Sequence, residues 1–178
     1  DQQGTHVIRK VLECSSFDVA RKNFIFDEIF ENLHQLSTNK NGLCVIKLVI
    51  KQTTDRKEQQ HVISQLEKNL IEIVSDAFGN YAVSEIVEHW DTPVCQPIFK
   101  KLMTKVCELS IQKYSSCVIE KCIRSAGERT RSLFIREISR SPRLSALVSH
   151  QFGNYVIQTA LTKASTADKD TLIRALEN

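Results

Sequence analysis

Residues 152–161 have the sequence FGNYVIQTAL, and variants of this stretch recur along the chain, so its pattern is the main indication of the fold. After the glycine and two polar or aromatic residues, apolar pairs stand at Val156 and Ile157 and again at Ala160 and Leu161. Apolar residues with this spacing form one broad stripe on a helix of 3.6 residues per turn, whereas a strand would alternate. The stretch therefore predicts an amphipathic helix that begins at the glycine.

Four further segments align with this one without gaps: QGTHVIRKVL (3–12), NGLCVIKLVI (41–50), FGNYAVSEIV (78–87) and YSSCVIEKCI (114–123). Measured at the glycine, or at Ser115 in the fourth segment, the steps are 38, 37, 36 and 38 residues. A fixed period of this size is typical of stacked repeats. We call the helices predicted here the signature helices, and we expect them near residues 4–13, 42–52, 79–89, 115–125 and 153–163.

Two more amphipathic stretches separate successive signature helices, at residues 55–65 and 69–75, 97–103 and 106–111, and 131–138 and 144–148. A three-helix unit of this kind cannot bury its apolar faces alone, so neighbouring units must stack around a continuous core that includes Val7 of the first unit. Three prolines are expected at helix boundaries, where proline is tolerated: Pro93, Pro97 and Pro142. We expect one domain over residues 1–178, and a longer array of which it is part, since neither end resembles a polar capping repeat.

The composition narrows the class of protein. Of 178 residues, 42% are hydrophobic and 25% charged, which fits a folded globular chain, and 5 glycines with 3 prolines are few for a β-sandwich or barrel. The net charge of +3 permits an anionic partner without requiring one. No run approaches the roughly 18 uncharged apolar residues of a membrane span, and the first residues lack the pattern of a signal peptide. We therefore expect a cytoplasmic protein without membrane contact.

The cysteines and histidines give no indication of catalysis. None of the 6 cysteines forms a Cys-x-x-Cys pair, so we expect reduced, partly buried thiols rather than a zinc site or a disulfide framework. The 5 histidines have no metal-ligand spacing and stand in no nucleophile signature, and no glycine-rich phosphate loop occurs. We expect no enzyme, no metal and no cofactor. His89 and Trp90 are expected to serve packing or helix capping.

Each signature helix presents a polar triplet on the side opposite its apolar stripe. We call the residue after the glycine the first edge residue, the next one the middle residue, and the one four after the first the second edge residue. Positions i and i+4 lie one turn apart on the same face. The five triplets are Thr5/His6/Arg9, Leu43/Cys44/Lys47, Asn80/Tyr81/Ser84, Ser116/Cys117/Glu120 and Asn154/Tyr155/Gln158.

The chemistry of these triplets suits the recognition of nucleic acid bases. Asn and Gln donate and accept hydrogen bonds, and an ionised Glu accepts them. An exposed tyrosine beside such a pair is a stacking platform, and base stacking on an aromatic ring contributes roughly 1–3 kcal/mol.

The triplets Asn154-Tyr155-x-x-Gln158 and Ser116-Cys117-x-x-Glu120, in units of 36–38 residues, resemble the RNA-recognition helices of Pumilio-family (PUF) repeats. The stretch KYSSCVIEKC at 113–122 resembles the second-to-last repeat of such arrays, and the resemblance covers essentially all 178 residues. It implies a right-handed α-solenoid of three-helix repeats. The concave face of that solenoid would bind single-stranded RNA antiparallel to the protein, one base per repeat.

In the family, Asn with Gln reads uracil and Ser with Glu reads guanine. The resemblance thus implies that the three C-terminal repeats read 5′-UGU, through Asn154 with Gln158, Ser116 with Glu120, and Asn80 with Ser84. The middle residues would stack on bases or pack weakly against them: Tyr155, Cys117, Tyr81, Cys44 and His6.

Two repeats depart from the family pattern. Leu43 cannot form a hydrogen bond, so Lys47 is expected near a phosphate or a base edge without an assignable code. Thr5 with Arg9 is also off-pattern, and Ser84 stands where Gln usually completes the uracil code. We therefore expect a strict 5′ trinucleotide and a loose 3′ part. Some cations on or near the signature helices should attract phosphates: Arg9, Lys10, Lys47, Lys51, Lys121 and Arg124.

The family typically binds 3′ untranslated regions of messenger RNAs and lowers their translation or stability through partner proteins. The resemblance implies that role here, with protein co-regulators on the convex face or near the loop at 139–143, which runs between Ser139 and Arg143. Two alternatives stay open. One is a Pumilio-like ribosome-assembly factor with little base selectivity, and the other is a peptide-binding scaffold of the HEAT or armadillo type, whose repeats are roughly 40–47 residues long.

Overall fold

A computed structural model of the chain describes residues 2–14 and 19–177, and within the helix at 19–31 it describes the side chains from residue 24 onward. The described residues form thirteen α-helices and no strand. The helices are α1 (Gln2–Glu13), α2 (Val19–Glu31), α3 (Leu33–Ser37), α4 (Lys40–Gln52), α5 (Arg56–Ser75), α6 (Gly79–His89), α7 (Thr92–Met103), α8 (Val106–Ser110), α9 (Ser115–Ser125), α10 (Glu128–Ser139), α11 (Leu144–Ser149), α12 (Gly153–Lys163) and α13 (Thr166–Glu177).

The helices form two main layers. The signature helices α1, α4, α6, α9 and α12 pack against one another in chain order and make the inner layer. The helices α2, α5, α7, α10 and α13 pack in the same order and make the outer layer. The short helices α3, α8 and α11 lie against the signature helix that follows each of them. The prediction of an all-α, right-handed solenoid of three-helix repeats is confirmed.

One continuous core runs between the layers. It contains the apolar pairs of the signature helices, such as Val118 and Ile119, together with outer-layer residues such as Phe99 and Phe134, all at most 1% exposed. The predicted stripe of the first helix is only partly buried, because Val7 is 61% exposed while Leu12 is buried. Among the signature helices α1 packs against α4 alone, so Val7 lies on the side of α1 away from that contact.

The regular spacing of the glycines has a steric cause rather than a conformational one. No glycine among the described residues has a positive φ. Each signature glycine from Gly42 onward instead lies where a side chain would collide with the carbonyl oxygen six residues earlier. A Cβ added there would lie 2.4 Å from Leu36 O at Gly42, 2.5 Å from Ile73 O at Gly79 and 2.7 Å from Leu147 O at Gly153. At the fourth unit Ser115 donates a hydrogen bond from Oγ to the equivalent oxygen, that of Leu109, at 2.7 Å.

The residue three before each of these glycines caps the first turn. Asn39 Oδ1 accepts from the Gly42 amide at 3.1 Å, Asp76 Oδ1 from the Gly79 amide at 2.8 Å, and His150 Nδ1 from the Gly153 amide at 3.4 Å. Such caps satisfy amide groups that have no partner inside the helix. They hold the starts of α4, α6 and α12, each directly before the first edge residue of its helix.

One helix prediction needs correction. Pro97 lies inside α7 rather than at a boundary, because α7 begins at Thr92, and Pro93 instead stands in its first turn. The predicted helices at 55–65 and 69–75 are the two helical parts of α5, which meet at a kink at Asn69 where φ is −126° and ψ is 24°. Lys101 Nζ of α7 donates to the carbonyl of Glu67 just before this kink. The polar contact explains how the bent backbone is stabilised.

Polar contacts also join successive repeats away from the triplets. Trp90 is buried, and its Nε1 donates to the carbonyl of Ile50 in the preceding signature helix at 3.1 Å. Gln52 Nε2 donates in the same way to the carbonyl of Leu12 at 3.3 Å. Both groups satisfy carbonyls at the C-terminal ends of helices, which have no partner within the helix. Trp90 thus packs and caps, whereas exposed His89 contacts its own helix at the carbonyl of Glu85.

Candidate functional site

The middle residues of all five triplets are exposed on the inner layer: His6, Cys44, Tyr81, Cys117 and Tyr155. Tyr81 is 53% exposed and Tyr155 is 57% exposed, which is unusual for large aromatic side chains in a packed helical protein. Both rings therefore offer a face to a ligand. The thiols of Cys44 and Cys117 contact the carbonyl four residues earlier, at 3.7 and 3.8 Å.

The edge residues of the last repeat are linked to each other. Asn154 Nδ2 donates to the carbonyl of His150 at 2.8 Å, and Asn154 Oδ1 accepts from Gln158 Nε2 at 3.1 Å. Gln158 is exposed, and its amide is held by this contact with a donor and an acceptor directed along the inner surface. A groove of about 180 Å³ lies beside Tyr155 and Gln158, with Glu120 of the preceding repeat on its other side.

The edge residues of the fourth repeat include a carboxylate held by two donors. Glu120 Oε2 accepts from Thr159 Oγ1 at 3.0 Å and from an Arg124 guanidinium nitrogen at 3.2 Å. Thr159 belongs to the next repeat, so the contact crosses from α9 to α12. Ser116 is buried, and its Oγ lies 3.4 Å from the carbonyl of Lys113. Glu120 is therefore the more accessible member of the pair.

The edge residues of the third repeat are both largely covered. Asn80 is 4% exposed and Ser84 is 8% exposed. Asn80 Nδ2 donates to the carbonyls of Asp76 and Ala77 at 2.9 and 3.0 Å, so the carbonyl Oδ1 is the atom that this amide can offer to a ligand. Compared with Gln158, these residues present less polar surface beside their tyrosine.

A cluster of opposite charges joins the second repeat to the third. Glu85 of α6 is only 7% exposed, and its two carboxylate oxygens each lie 3.1 Å from a lysine of α4, Oε2 from Lys47 Nζ and Oε1 from Lys51 Nζ. Burial acts to raise the pKa of the Glu85 carboxyl, but the hydrogen bonds and charges of the two lysines outweigh it and lower that pKa below its ordinary value. Lys47 Nζ also lies 5.8 Å from the centroid of the Tyr81 ring, within cation–π distance.

The first repeat and Leu43 offer less to a ligand. Leu43 is half-buried and packs against the core. Thr5 Oγ1 lies 3.4 Å from the carbonyl of Asn41 in the next repeat. Arg9 is exposed and lies 3.6 Å from Glu13 one turn along its own helix. The structure thus places all five triplets along one layer, but their edge residues differ widely in exposure and partners.

Each of the six cations expected to attract phosphates contacts a carboxylate. Arg9 and Lys10 pair with Glu13, Lys47 and Lys51 with Glu85, Lys121 with Glu88, and Arg124 with Glu120. Sequence reasoning missed Glu85 and Thr159, because the residues they contact lie 38 and 39 positions earlier. The available signal was positional: both directly follow the second edge residue of their own repeat.

Other chemistries find no support in the described part of the chain. No group of three or more His, Cys, Asp or Glu side chains there could hold a metal ion. No helix within residues 2–14 and 19–177 is long and apolar enough to cross a bilayer. Cys95 and Cys122 are buried, and burial raises the pKa of the Cys95 thiol to about 12 and raises the pKa of Cys122 as well, so both are neutral packing groups.

Known proteins resemble this chain in sequence, and solved structures resemble it in fold. A Pumilio domain-containing protein of Schizosaccharomyces pombe is 33% identical over 177 residues, which is 99% of this chain and 26% of the relative. Pumilio homolog 12 of Arabidopsis thaliana is 30% identical over 182 residues, covering 98% of this chain and 29% of that protein. The crystal structure of PUF-8 in complex with PBE-RNA superposes with a TM-score of 0.88 at 24% identity, over 99% of this chain and 53% of that one.

The chain therefore spans about a quarter to a third of these relatives and about half of the solved domain. The family model of the Pumilio-family RNA binding repeat matches five segments, residues 1–30, 32–66, 69–103, 105–139 and 144–177. These five units have the period of the five triplets, and the match decides against the HEAT or armadillo alternative. The chain belongs to the Pumilio (PUF) family of RNA-binding repeat proteins.

Proposed function

We propose that this chain binds single-stranded RNA on its inner layer, one base per repeat, and that its three C-terminal repeats select 5′-UGU. The observation that carries the proposal is the pair of half-exposed tyrosines, Tyr81 and Tyr155, each beside edge residues of defined polarity. An unpaired base that stacks on such a ring presents its Watson–Crick edge to the adjoining polar side chains. Family membership supports the same ligand.

The chemistry of the last two repeats matches two different bases. The Gln158 amide can accept from uracil N3–H with Oε1 and donate to a uracil carbonyl with its remaining Nε2 hydrogen, while Asn154 holds it in place. Glu120 can accept through Oε1 from guanine N1–H or from the guanine amino group, because its Oε2 already accepts from Thr159 and Arg124.

The third repeat offers a less exposed site for the second uracil. Asn80 Oδ1 can accept from uracil N3–H beside the Tyr81 ring, and Ser84 would contribute at short range only. We therefore expect the third base to be selected less strictly than the first two. Beyond it the repeats with Leu43 and Thr5 add affinity with looser choice of base, and His6 and Cys44 supply only weak stacking surfaces.

Beyond binding, we propose that the protein regulates messenger RNAs after transcription, in the cytoplasm, through 3′ untranslated regions. The solved domain of Puf3 bound to a Cox17 RNA 3′ UTR recognition sequence, with a TM-score of 0.80, is a structural relative with that kind of ligand. Repression would require protein partners on the outer surface. The loop between Ser139 and Arg143 borders an open groove of about 460 Å³ with α8 and is our proposed docking region.

Binding of short single-stranded RNAs tests the proposal directly. Fluorescence anisotropy at a stated salt concentration should show strong preference for an RNA with 5′-UGU over one with 5′-ACA, since a mismatched base costs about 1–3 kcal/mol in comparable nucleic acid complexes. Equal tight binding of both RNAs would instead identify a nonselective, ribosome-assembly type of protein. Absence of binding to either would reject the RNA function of this chain.

A code switch tests the assignment of the second base. The double variant Ser116→Asn with Glu120→Gln should change the preferred second nucleotide from G to U, because it converts the carboxylate acceptor into the amide pair of the last repeat. Retention of G preference by the folded double variant would show that these residues do not read that base.

A further inference from the structure

Two junctions of the inner layer place a residue of one repeat against the second edge residue of the repeat before it. Between α4 and α6, Glu85 contacts Lys47 at 3.1 Å. Between α9 and α12, Thr159 contacts Glu120 at 3.0 Å. Glu85 and Thr159 occupy the same position, since each directly follows the second edge residue of its own repeat. The contact thus occurs at two of the four junctions of the layer, while at the α6–α9 junction the equivalent residue, Lys121, pairs instead with Glu88.

A third residue completes each contact and is also equivalent in position. It lies four residues after the second edge residue on the same helix, as Lys51 and as Arg124. Lys51 Nζ is 3.1 Å from Glu85 Oε1. An Arg124 guanidinium nitrogen is 3.1 Å from Thr159 Oγ1 and 3.2 Å from Glu120 Oε2. The second edge residue is therefore held within a three-residue cluster that spans its own helix and the next repeat.

The two contacts have opposite polarity. Lys47 can only donate, and Glu85 accepts from it. Glu120 can only accept when ionised, and Thr159 donates to it. In each case the neighbour uses part of the hydrogen-bonding capacity of the edge residue and leaves the rest beside an exposed tyrosine, Tyr81 for Lys47 and Tyr155 for Glu120. A long side chain held in this way loses less conformational freedom when a base binds.

From this geometry we infer that Glu85 and Thr159 are positioning residues, so that the base choice of a repeat is set jointly with the repeat that follows it. The inference rests on the proposed RNA function and names two residues outside the five triplets. It also assigns a preference to the second repeat. The Lys47 ammonium held beside Tyr81 only donates. Directed at the base edge where uracil carries O4 and guanine O6, it would favour these two bases over adenine and cytosine, which carry an amino group there.

The Thr159→Val variant tests the C-terminal junction, because it keeps the shape of the side chain and removes the hydroxyl. Anisotropy titrations would compare 5′-UGU with 5′-UAU, which differ at the second nucleotide, and 5′-UGU with 5′-AGU, which differ at the first. We expect the preference for G at the second nucleotide to fall by about fivefold, while the preference for U at the first stays unchanged. The control is Thr171→Val, an exposed threonine on α13 whose hydroxyl donates within its own helix. Unchanged G preference in Thr159→Val overturns the inference.

The Glu85→Gln variant tests the N-terminal junction with four RNAs of the form 5′-UGUN. The natural chain should prefer U or G over A or C at the fourth nucleotide by about fivefold, and Glu85→Gln should reduce this to less than about twofold. Glu88→Gln is the matched control for the fourth nucleotide, since Glu88 lies on the same helix but pairs with Lys121 across the α6–α9 junction and not across the α4–α6 junction. Both variants change the charge equally, so a difference between them reports position rather than charge.

Lysine variants keep the test decisive if Glu85→Gln unfolds. Lys47→Met should abolish the discrimination at the fourth nucleotide, whereas Lys40→Met, at an exposed lysine in the first turn of the same helix, should retain it. Equal loss in both lysine variants, or no discrimination in the natural chain, overturns the assignment for this repeat. A natural chain that does not distinguish 5′-UGU from 5′-ACA would reject the proposed function itself, which is a separate result.

Discussion

The junction between α4 and α6 and the junction between α9 and α12 use the same positions with opposite charges. In the first, a lysine is held by a buried glutamate. In the second, a glutamate is held by a threonine and an arginine. The apolar residues beneath them are nearly the same, Val45 and Ile46 in one and Val118 and Ile119 in the other. The comparison teaches that the packing frame is common to the two junctions, while the polar contacts above it differ at three equivalent positions.

The largest effect is expected when only some residues of the α9–α12 junction are transferred to the α4–α6 junction. Leu43→Ser with Lys47→Glu makes the second triplet identical to the fourth, but it places a new carboxylate beside buried Glu85. Like charges in a covered site are costly, so we expect a loss of about 3 kcal/mol in the free energy of unfolding, measured by urea denaturation. Adding Glu85→Thr should recover most of this loss. A fully stable double variant would show that Glu85 does not face position 47 in solution.

A second prediction tests the close packing of the signature glycines, which the two regions share. Gly42→Ala and Gly153→Ala each place a Cβ within 2.7 Å of a carbonyl oxygen. We expect both to lower the unfolding free energy by about 2 kcal/mol, because the overlap must be relieved by backbone movement. Gly127→Ala is the control, since its Cβ would meet nothing closer than 3.6 Å. Thermal unfolding of the three variants would check the order, and a large difference between Gly42→Ala and Gly153→Ala would argue against a common frame.

The third prediction concerns the complete transfer of the α9–α12 residues to the α4–α6 junction. The variant with Leu43→Ser, Lys47→Glu, Glu85→Thr and Lys51→Arg reproduces the arrangement around Glu120. It should gain a preference for G at the fourth nucleotide of about tenfold, which is near 1.4 kcal/mol and within the range of a single base contact. Anisotropy titrations with 5′-UGUG and 5′-UGUA would measure it. The same variant without Glu85→Thr should bind 5′-UGUG no better than 5′-UGUA.

The smallest expected effect is a dependence of stability on pH at the junction between α4 and α6. The pKa of Glu85 is lowered in the folded chain from its ordinary value of 4.5. Its ion pairs with Lys47 and Lys51 therefore contribute stability that is present above the unfolded pKa and is lost as the pH falls through the lower, folded pKa. The stability difference between the natural chain and Glu85→Gln should shrink as the pH falls below about 4.5. The same comparison for Glu88→Gln controls for the general effect of acid on carboxylates.

The signature helices could be predicted from the sequence, because the same local pattern occurs five times at a regular spacing. The period predicted the signature helices at 42–52, 79–89, 115–125 and 153–163, and α4, α6, α9 and α12 begin and end within two residues of those limits. Predictions from local patterns were wrong where the packing of neighbouring helices determines the structure. Proline tolerance did not place Pro97 inside α7, and the amphipathic pattern could not show that Val7 lies on an exposed side of α1.

The site was less predictable than the fold. The triplets lie on one layer as expected, but their sequence does not reveal that Asn80 and Ser116 are covered and donate to carbonyls just before their own helices. Nor does it reveal Glu85 or Thr159, whose partners lie a full repeat earlier. Such contacts depend on how closely adjacent helices pack, which is a property of the assembled layer and not of any single helix.

The pairing of inner-layer cations with carboxylates, from Arg9 with Glu13 to Arg124 with Glu120, has a kinetic consequence. A surface with large unpaired positive charge captures RNA by long-range attraction and reaches association rates far above the ordinary range. Here the charges largely cancel at short distance, so encounter should proceed at the rate of unassisted docking, about 10⁵–10⁷ M⁻¹s⁻¹. If the proposed function holds, matching and mismatching RNAs would then be met equally often. The time that each one stays bound, and not the speed of its capture, would decide which RNA the protein selects.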